Sequence, residues 1–461
     1  MTQMRTELLQ ETPFKLMLKL SIPAIIGMLV IGLYSFMDAV YAGQLIGPEA
    51  MGAISVAYPF TLFNSGIATL IGIGSASLLS RAIGKKDSET INKIMGNLLV
   101  LILILSSIVT LLGFVFTREL LLISGAEGEI LELGVRYLRI VFLSSIFVNF
   151  AQSANMIIRA EGLMKKAMTF MGIGAVLNIV LDPIFILSFG EYAIEGAAVA
   201  TVTSQIIQAA ITLFYFIKES QNVRFNGIKI HTDLLPQIFS VGLSAMLMQV
   251  MAFIQQTVLY NMAAQYGGNS QIILMGASLR IMMFSFIPLW GISQAFQPAV
   301  GTNYGAGLNE RVKKITNTFT IGATALALCF WIPFQLVPSV MLSMFIKDAA
   351  IVAEGVDFFR LMFSLFPVAG VFIIGLTFFQ ALGKGSLASI IVLLRQIILF
   401  VPLTVLLPKF MDIKGVWLST PLTDSIVFLL CIIMLAVSYK QMAQDRVLID
   451  YRKDELTADI K

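Results

Sequence analysis

Residues 14–43 read FKLMLKLSIPAIIGMLVIGLYSFMDAVYAG. The apolar run within them, placed near 16–41, has the length that a helix rising 1.5 Å per residue needs to cross a hydrocarbon core of ~30 Å. Deep inside that run stands a single acid, Asp38. An ionisable side chain at mid-membrane costs ~2.5–3.5 kcal/mol on insertion scales, so one that persists there needs a reason. The rest of the chain agrees with this stretch. Of 461 residues, 57% are hydrophobic and 13% charged, with a mean hydropathy of +0.88. A soluble domain carries about 25% charged residues. A chain this long with half that charge cannot cover a water-facing surface, and disorder fails on the same figures. The composition is that of a polytopic membrane protein.

Several function classes fall away on counts and motifs. One His in the whole chain leaves no basis for a zinc hydrolase or a His-centred acid–base machine. The balance of 31 Lys and Arg against 27 Asp and Glu gives +4, too little to imply a nucleic-acid partner. Cys329 and Cys431 each sit in an apolar run, which predicts burial for both and no disulfide framework. The first fifteen residues are polar and lack the short apolar region and cleavage site of a signal peptide, so the first span is expected to be retained. Gly383-Lys384-Gly385-Ser386 lacks the earlier Gly that a phosphate loop requires. Gly72 and Gly74 follow no strand, and small-residue helix packing accounts for them better than a dinucleotide fold. Neither HExxH nor GxSxG occurs. With no ATP site and no cofactor motif, an ion gradient is the energy source expected.

Apolar runs broken by polar or Gly/Pro-rich stretches give twelve spans, near 16–41, 53–80, 94–117, 134–158, 167–189, 195–217, 237–262, 272–298, 313–337, 351–380, 386–408 and 414–439. These runs are continuously apolar rather than alternating, which disfavours a barrel. Lys and Arg set the orientation. With the N-terminus inside, the inner segments hold twenty-two of these cations and the outer ones six: Arg118, Arg136, Arg139, Lys347, Lys409 and Lys414. Arg280, Arg360 and Arg395 fall within spans. Both termini are therefore expected to be cytoplasmic, as an even span count also requires.

The two halves overlay on each other at a shift of 219–221 residues. Gly84 falls on Gly305, Arg139 on Arg360, Ala160 on Ala381, Gly162 on Gly383, Pro183 on Pro402, Gly196 on Gly415 and Thr201 on Thr420. Six spans per half place both halves in the membrane in the same direction, related by an axis along the membrane normal. The expected fold is an all-α membrane protein of two six-helix lobes. The N-terminal lobe is expected at 1–217, a cytoplasmic linker at 218–235, and the C-terminal lobe with its tail at 236–461.

Few acids lie within spans. Asp38 has Tyr34 four residues before it, and Asp182 has Asn178 four before it, so each carboxylate has a polar neighbour on its own helix face. Pro183 removes a backbone hydrogen bond and leaves a carbonyl near Ile179 free. Two carboxylates, an amide, a hydroxyl and a loose carbonyl suit a hard cation or a proton; for Na+, the ligands expected are Asp38, Asn178 and Asp182. At the matching positions the second half has Thr257 and Val401, so the site is asymmetric. Gln255 and Gln256 are the nearest polar pair there and are candidates for lining a substrate cleft, with helix–helix hydrogen bonding as the alternative. Arg395 and Asp424, on the last two spans, are expected to form a buried ion pair, the alternative being a second proton site at Asp424.

The opening stretch, SRAIGKKD at 80–87, RAEG at 159–162 and LNIVLDPIFI at 177–186, together with the 6+6 duplication, resemble the MATE (multidrug and toxic compound extrusion) family over essentially the whole chain. The DinF-type or MepA-like branch fits best, because the seventh and tenth spans lack the acids another branch uses there. The resemblance implies two lobes around a V-shaped cleft and export of bulky, cationic organic molecules in exchange for Na+ or H+. Carried over residue by residue, it implies a cation site of Asp38, Asn178 and Asp182, with Tyr34, Asn155 and Thr201 beside it. Expected with it are no enzymatic activity, no cofactor beyond the coupling ion, no nucleic-acid partner, a monomer in the lipid bilayer, and a multi-pass location in a bacterial inner (plasma) membrane. A lipid-linked oligosaccharide flippase of the same superfamily is the rival reading.

Overall fold

A computed structural model describes residues 2–220, 223, 225 and 227–458. Arg224 and Lys461, both among the inner cations, and 221, 222 and 226 of the linker lie outside the described residues. Among the described residues every regular element is helical. The first span is Pro13–Tyr41, opened by a proline at a position where its missing N–H costs nothing. A π-helical turn, Ala42–Ile46, and Gly47 then lead into the second span, Pro48–Lys85. The third, Ser88–Val115, is capped by Asp87, whose carboxylate accepts from the Thr90 backbone N–H at 3.0 Å and from its hydroxyl at 2.6 Å.

Among the described residues, eight helical stretches are long and apolar enough to cross a membrane, or nine if one bent pair counts as a span. Resolving the composite stretches and the bent pair gives eleven spans, and the fourth, built of two shorter helices, completes twelve. Met164–Glu219 holds the fifth and sixth spans, divided by a 3-10 turn at Gly190–Tyr192. Thr232–Gly305 holds the seventh and eighth, broken at Gly268, where φ is +67°. Both ends of that stretch approach the same half of the second span, Ile238 near Gly74 and Thr302 near Gly84, so the chain must fold back at Gly268. The fourth span is two sixteen-residue helices, Gly128–Leu143 and Ser145–Ala160. Between them Ser144 and Ser145 donate to the carbonyls of Val141 and Phe142, each at 2.7 Å, a back-bonding that bends a helix. The tenth is the bent pair, Ala349–Met362 and Phe366–Ala381, inclined by 42° around Pro367. The ninth, Asn309–Leu336, and the twelfth, within Ile413–Ala458, are uninterrupted, and the eleventh starts at Gly385 and passes through a π-helical turn at Leu394–Ile398.

The helices run past the apolar runs at several ends, because a bilayer limits hydrophobic length and not helical length. One sequence expectation needs correction. Cys431 is buried, but Cys329 is exposed. In a membrane helix an apolar neighbourhood does not distinguish the protein interior from the lipid face, and a thiol is tolerated at either.

The lobes meet along a seam of glycines. The absent side chain of Gly84 would stand 2.1 Å from the Thr302 carbonyl, and that of Gly305 2.1 Å from the Arg81 carbonyl. These two contacts are mates under the internal duplication. Gly74 admits Ile238, Gly242 admits the Leu70 carbonyl at 1.8 Å, and Gly291 admits the backbone of Ile25 at 2.8 Å. In lipid, where apolar burial gives little drive for helix association, such close backbone approach is what holds helices together. Arg81 adds a polar tie by donating at 3.0 Å to Gln237 in the other lobe. These contacts fall in the C-terminal half of the second span, the start of the seventh, the second half of the eighth and the first half of the first.

Candidate cation site in the N-terminal lobe

The first and fifth spans carry one acid each into the interior of the N-terminal lobe. Asp182 is 1% exposed and Asn178 is 2% exposed. The fifth span, Met164–Phe189, stays helical through Pro183, so the i, i+4 spacing places Asn178 one turn before Asp182 on the same face. Asn178 Nδ2 donates to Asp182 Oδ1 at 3.0 Å and to Thr201 Oγ1, on the sixth span, at 3.2 Å. The Asp38 carboxyl is within hydrogen-bonding reach of Asp182. Two carboxyl groups attract only with a proton or a cation between them; as two bare anions they repel. Asp182 Oδ2 and Asn178 Oδ1 are buried and accept from no donor.

Tyr34, one turn before Asp38, stands near both acids. The structure therefore brings together Asp38, Asp182, Asn178, Thr201 and Tyr34. Asn155 is placed elsewhere. Its Nδ2 donates to the Ala167 carbonyl at 2.7 Å, and Ala167 is eleven residues before Asn178 on the fifth span. That is about 16 Å along the helix. Gln255 and Gln256 lie on the seventh span in the other lobe, half-buried and exposed respectively. Arg395 and Asp424 form the expected pair, Nε to Oδ1 at 2.9 Å, with the guanidinium 4.6 Å from the centre of the Phe372 ring.

Sequence reasoning missed Tyr137. It is 5% exposed and lies near Asp38, Tyr34 and Asp182. It stands in RYLR, between Arg136 and Arg139, and that setting reads as a membrane interface. The signal against that reading was its phase: on an amphipathic helix Tyr137 shares the apolar face with Leu138, Val141 and Gly134, all buried.

Among the described residues no group of three or more His, Cys, Asp or Glu could hold a metal ion. A transition-metal centre is thereby disfavoured, but an alkali cation takes oxygen from amides, hydroxyls and carbonyls as well. The unpartnered oxygens of Asp182 and Asn178, the Asp38 carboxyl and Thr201 Oγ1 form an all-oxygen donor set of that kind. The same two carboxyl groups could instead be bridged by one proton.

The family model MatE matches the chain twice, over residues 23–184 and 244–406. The chain belongs to the MatE family. The two matches fall one in each half, in agreement with the internal duplication. Within the family it is 27% identical to the multidrug export protein MepA of Staphylococcus aureus (strain MRSA252), over 95% of each chain. It is 26% identical to MepA of Staphylococcus saprophyticus, again over 95% of each. Among solved structures, a MATE transporter in complex with MaL6 superposes with a TM-score of 0.90 at 25% identity, covering 96% of this chain and all of that one. An outward-facing multidrug resistance MATE transporter of the MOP superfamily gives 0.89 at 25% identity, covering 95% of this chain and 98% of that one. As a MatE member the chain is a multi-span membrane protein with the twelve-helix, two-lobe fold. Its relatives are export proteins rather than enzymes.

Proposed function

We propose that this MatE protein is a secondary-active exporter of small organic, predominantly cationic compounds, driven by H+ or Na+ through a site at Asp38 and Asp182. The observation that carries the reading is the pair of carboxyl groups on different helices, Asp182 buried and Asp38 half-buried, with unpartnered buried oxygens beside them and no basic side chain described at the site. Such a pair favours one added positive charge, and its helices repack according to whether that charge is present. A cation arriving from outside draws the first and fifth spans together and favours substrate release outward. Loss of the cation to the cytoplasm resets the lobe. Coupling requires that cation and substrate prefer opposite states, since tight binding alone shifts no equilibrium.

In this reading the lobes are 1–217 and 236–461, joined by the linker 218–235. Gln255 and Gln256 line the substrate path from the C-terminal side. The protein works as a monomer in a bacterial inner membrane with both termini in the cytoplasm. The similarity to the MepA multidrug export proteins supports the substrate class.

The test is movement of an ethidium-like dye in proteoliposomes under an imposed pH gradient or an imposed Na+ gradient. Dye exchange driven by one of the two is expected. Dye movement driven by neither would overturn the proposal and favour a flippase.

A further inference from the structure

The helix Thr2–Gln10, ahead of the first span, touches both lobes where they close on each other. Arg5 donates from Nε to the Ile83 carbonyl and from Nη2 to the Gly84 carbonyl, both at 3.0 Å. Those carbonyls are among the last of the second span, in the N-terminal lobe, where acceptors outnumber N–H donors, and the Ile83 carbonyl also accepts from the capping Lys86 N–H at 3.3 Å. One guanidinium therefore caps that helix with two parallel bonds, a geometry Lys cannot reproduce. The other end of the short helix is held by the C-terminal lobe. Asn303, at the end of the eighth span, donates to the Leu8 carbonyl at 2.9 Å. Arg311, at the start of the ninth, donates to Leu8 at 3.3 Å and also to the Glu11 carbonyl. Leu8 is 1% exposed and packs 3.1 Å from the position a side chain at Gly162 would occupy, between the fourth and fifth spans. Glu7 pairs with Lys19 at 2.5 Å, which ties the helix to the first span.

The bonds converge on the glycine contact of the seam. Gly84, whose carbonyl accepts from Arg5, is the residue packed against Thr302, and Asn303 is the next residue after Thr302. A helix that bonds to both sides of a contact adds to the cost of separating them. We infer that Thr2–Gln10 is a latch across the seam, held by Arg5 on one lobe and by Asn303 and Arg311 on the other, and that opening the molecule on this side requires one end of it to let go. The inference rests on the reading that the lobes alternate between two states. It does not depend on which ion or substrate is moved.

The experiment measures spin-label distances across the seam in proteoliposomes, with labels on Lys86→Cys and Glu310→Cys. Both positions are exposed, one on each lobe, and the native thiols are removed as Cys329→Ser and Cys431→Ala. Arg5→Ala is expected to raise the population with long distances several-fold, and Arg5→Lys to fall between it and wild type. Arg311→Ala is expected to act in the same direction, and the double variant Arg5→Ala/Arg311→Ala no further than the stronger single one, since a latch released at either end is already open. An unchanged distance distribution in Arg5→Ala would overturn the latch, as would effects of the two arginines that simply add. Failure of the wild type to move dye would count against the exporter while leaving this measurement readable.

Discussion

At the scale of single residues, the chain spends its few interior charges in two different ways. Asp38 and Asp182 face each other without a cationic side chain described between them, whereas Asp424 has Arg395 at 2.9 Å. The first arrangement leaves room for a mobile charge and the second is already neutral. Asp424→Asn should therefore act on stability rather than on coupling. It would leave Arg395, whose side chain is only 10% exposed, without its counter-ion, a change that typically costs 3–5 kcal/mol. The expected outcome is a clearly lower midpoint of thermal unfolding in detergent, with ion dependence of transport unchanged in the protein that remains folded. Replacing both partners with apolar residues, as Arg395→Met/Asp424→Leu, should recover much of the loss. An altered ion dependence in Asp424→Asn would instead mark it as a second ion site.

Outside the membrane, Asp87 illustrates ordinary helix chemistry. The hydrogen bonds from the Thr90 hydroxyl and N–H hold its carboxyl below the usual carboxylate range. Asp87→Ala should cost about 1 kcal/mol of stability at pH 7 through loss of the cap. Because the folded state favours the ionised form, that contribution is present above the unfolded carboxylate pKa of about 4 and is lost as pH falls through the lower folded value. The difference in unfolding midpoint between variant and wild type should thus shrink towards zero as the pH drops below about 4. A difference that grows on acidification would show that the cap is not the cause.

Among whole elements, the spans were legible because a bilayer imposes one length and one composition on every helix that crosses it. The breaks inside them were harder to read. Ser144 and the Leu394–Ile398 turn interrupt runs whose hydropathy hardly changes, so a hydropathy reading passes over them, whereas the break at Gly268 falls in the polar stretch between the expected spans 237–262 and 272–298. The fourth span, expected as one apolar run near 134–158, is instead two helices, Gly128–Leu143 and Ser145–Ala160. The duplication was readable from paired glycines and prolines, and the structure gives one pair its physical reason: Gly84 and Gly305 recur because each must admit the other helix's backbone. Within the site, the i, i+4 partner Asn178 was legible from spacing along one helix. Tyr137 was not, because its nearness to the acids is set by how the fourth span packs. Asn155, carried over by resemblance, is held instead by the Ala167 carbonyl. The seam itself makes a direct prediction. Gly84→Leu would force a side chain to within about 2 Å of the Thr302 carbonyl, so the lobes could no longer close there. Labels at 86 and 310 should report a seam held open, and transport should cease although the protein inserts. A distance distribution like that of wild type would mean the helices can part without consequence at this point.

For the molecule as a whole, near-symmetry of the two lobes provides the seam, and in the proposed cycle their asymmetry provides the coupling. Thr257 and Val401 stand where the N-terminal lobe has its two acids, so in that proposal only one lobe answers to a cation. The structure is closed at the end where the inner cations and the N-terminal helix lie, which in the proposed cycle is the state that presents the cleft to the outside. The measurement that bears most directly on this account is gradient-driven dye exchange by Asp38→Asn and Asp182→Asn, each compared with wild type at matched amounts of inserted protein. Each variant keeps the shape of the side chain and removes one of the two charges that the proposed ion would bridge. The account predicts that either change alone abolishes gradient-driven exchange. Wild-type rates in either variant would contradict it.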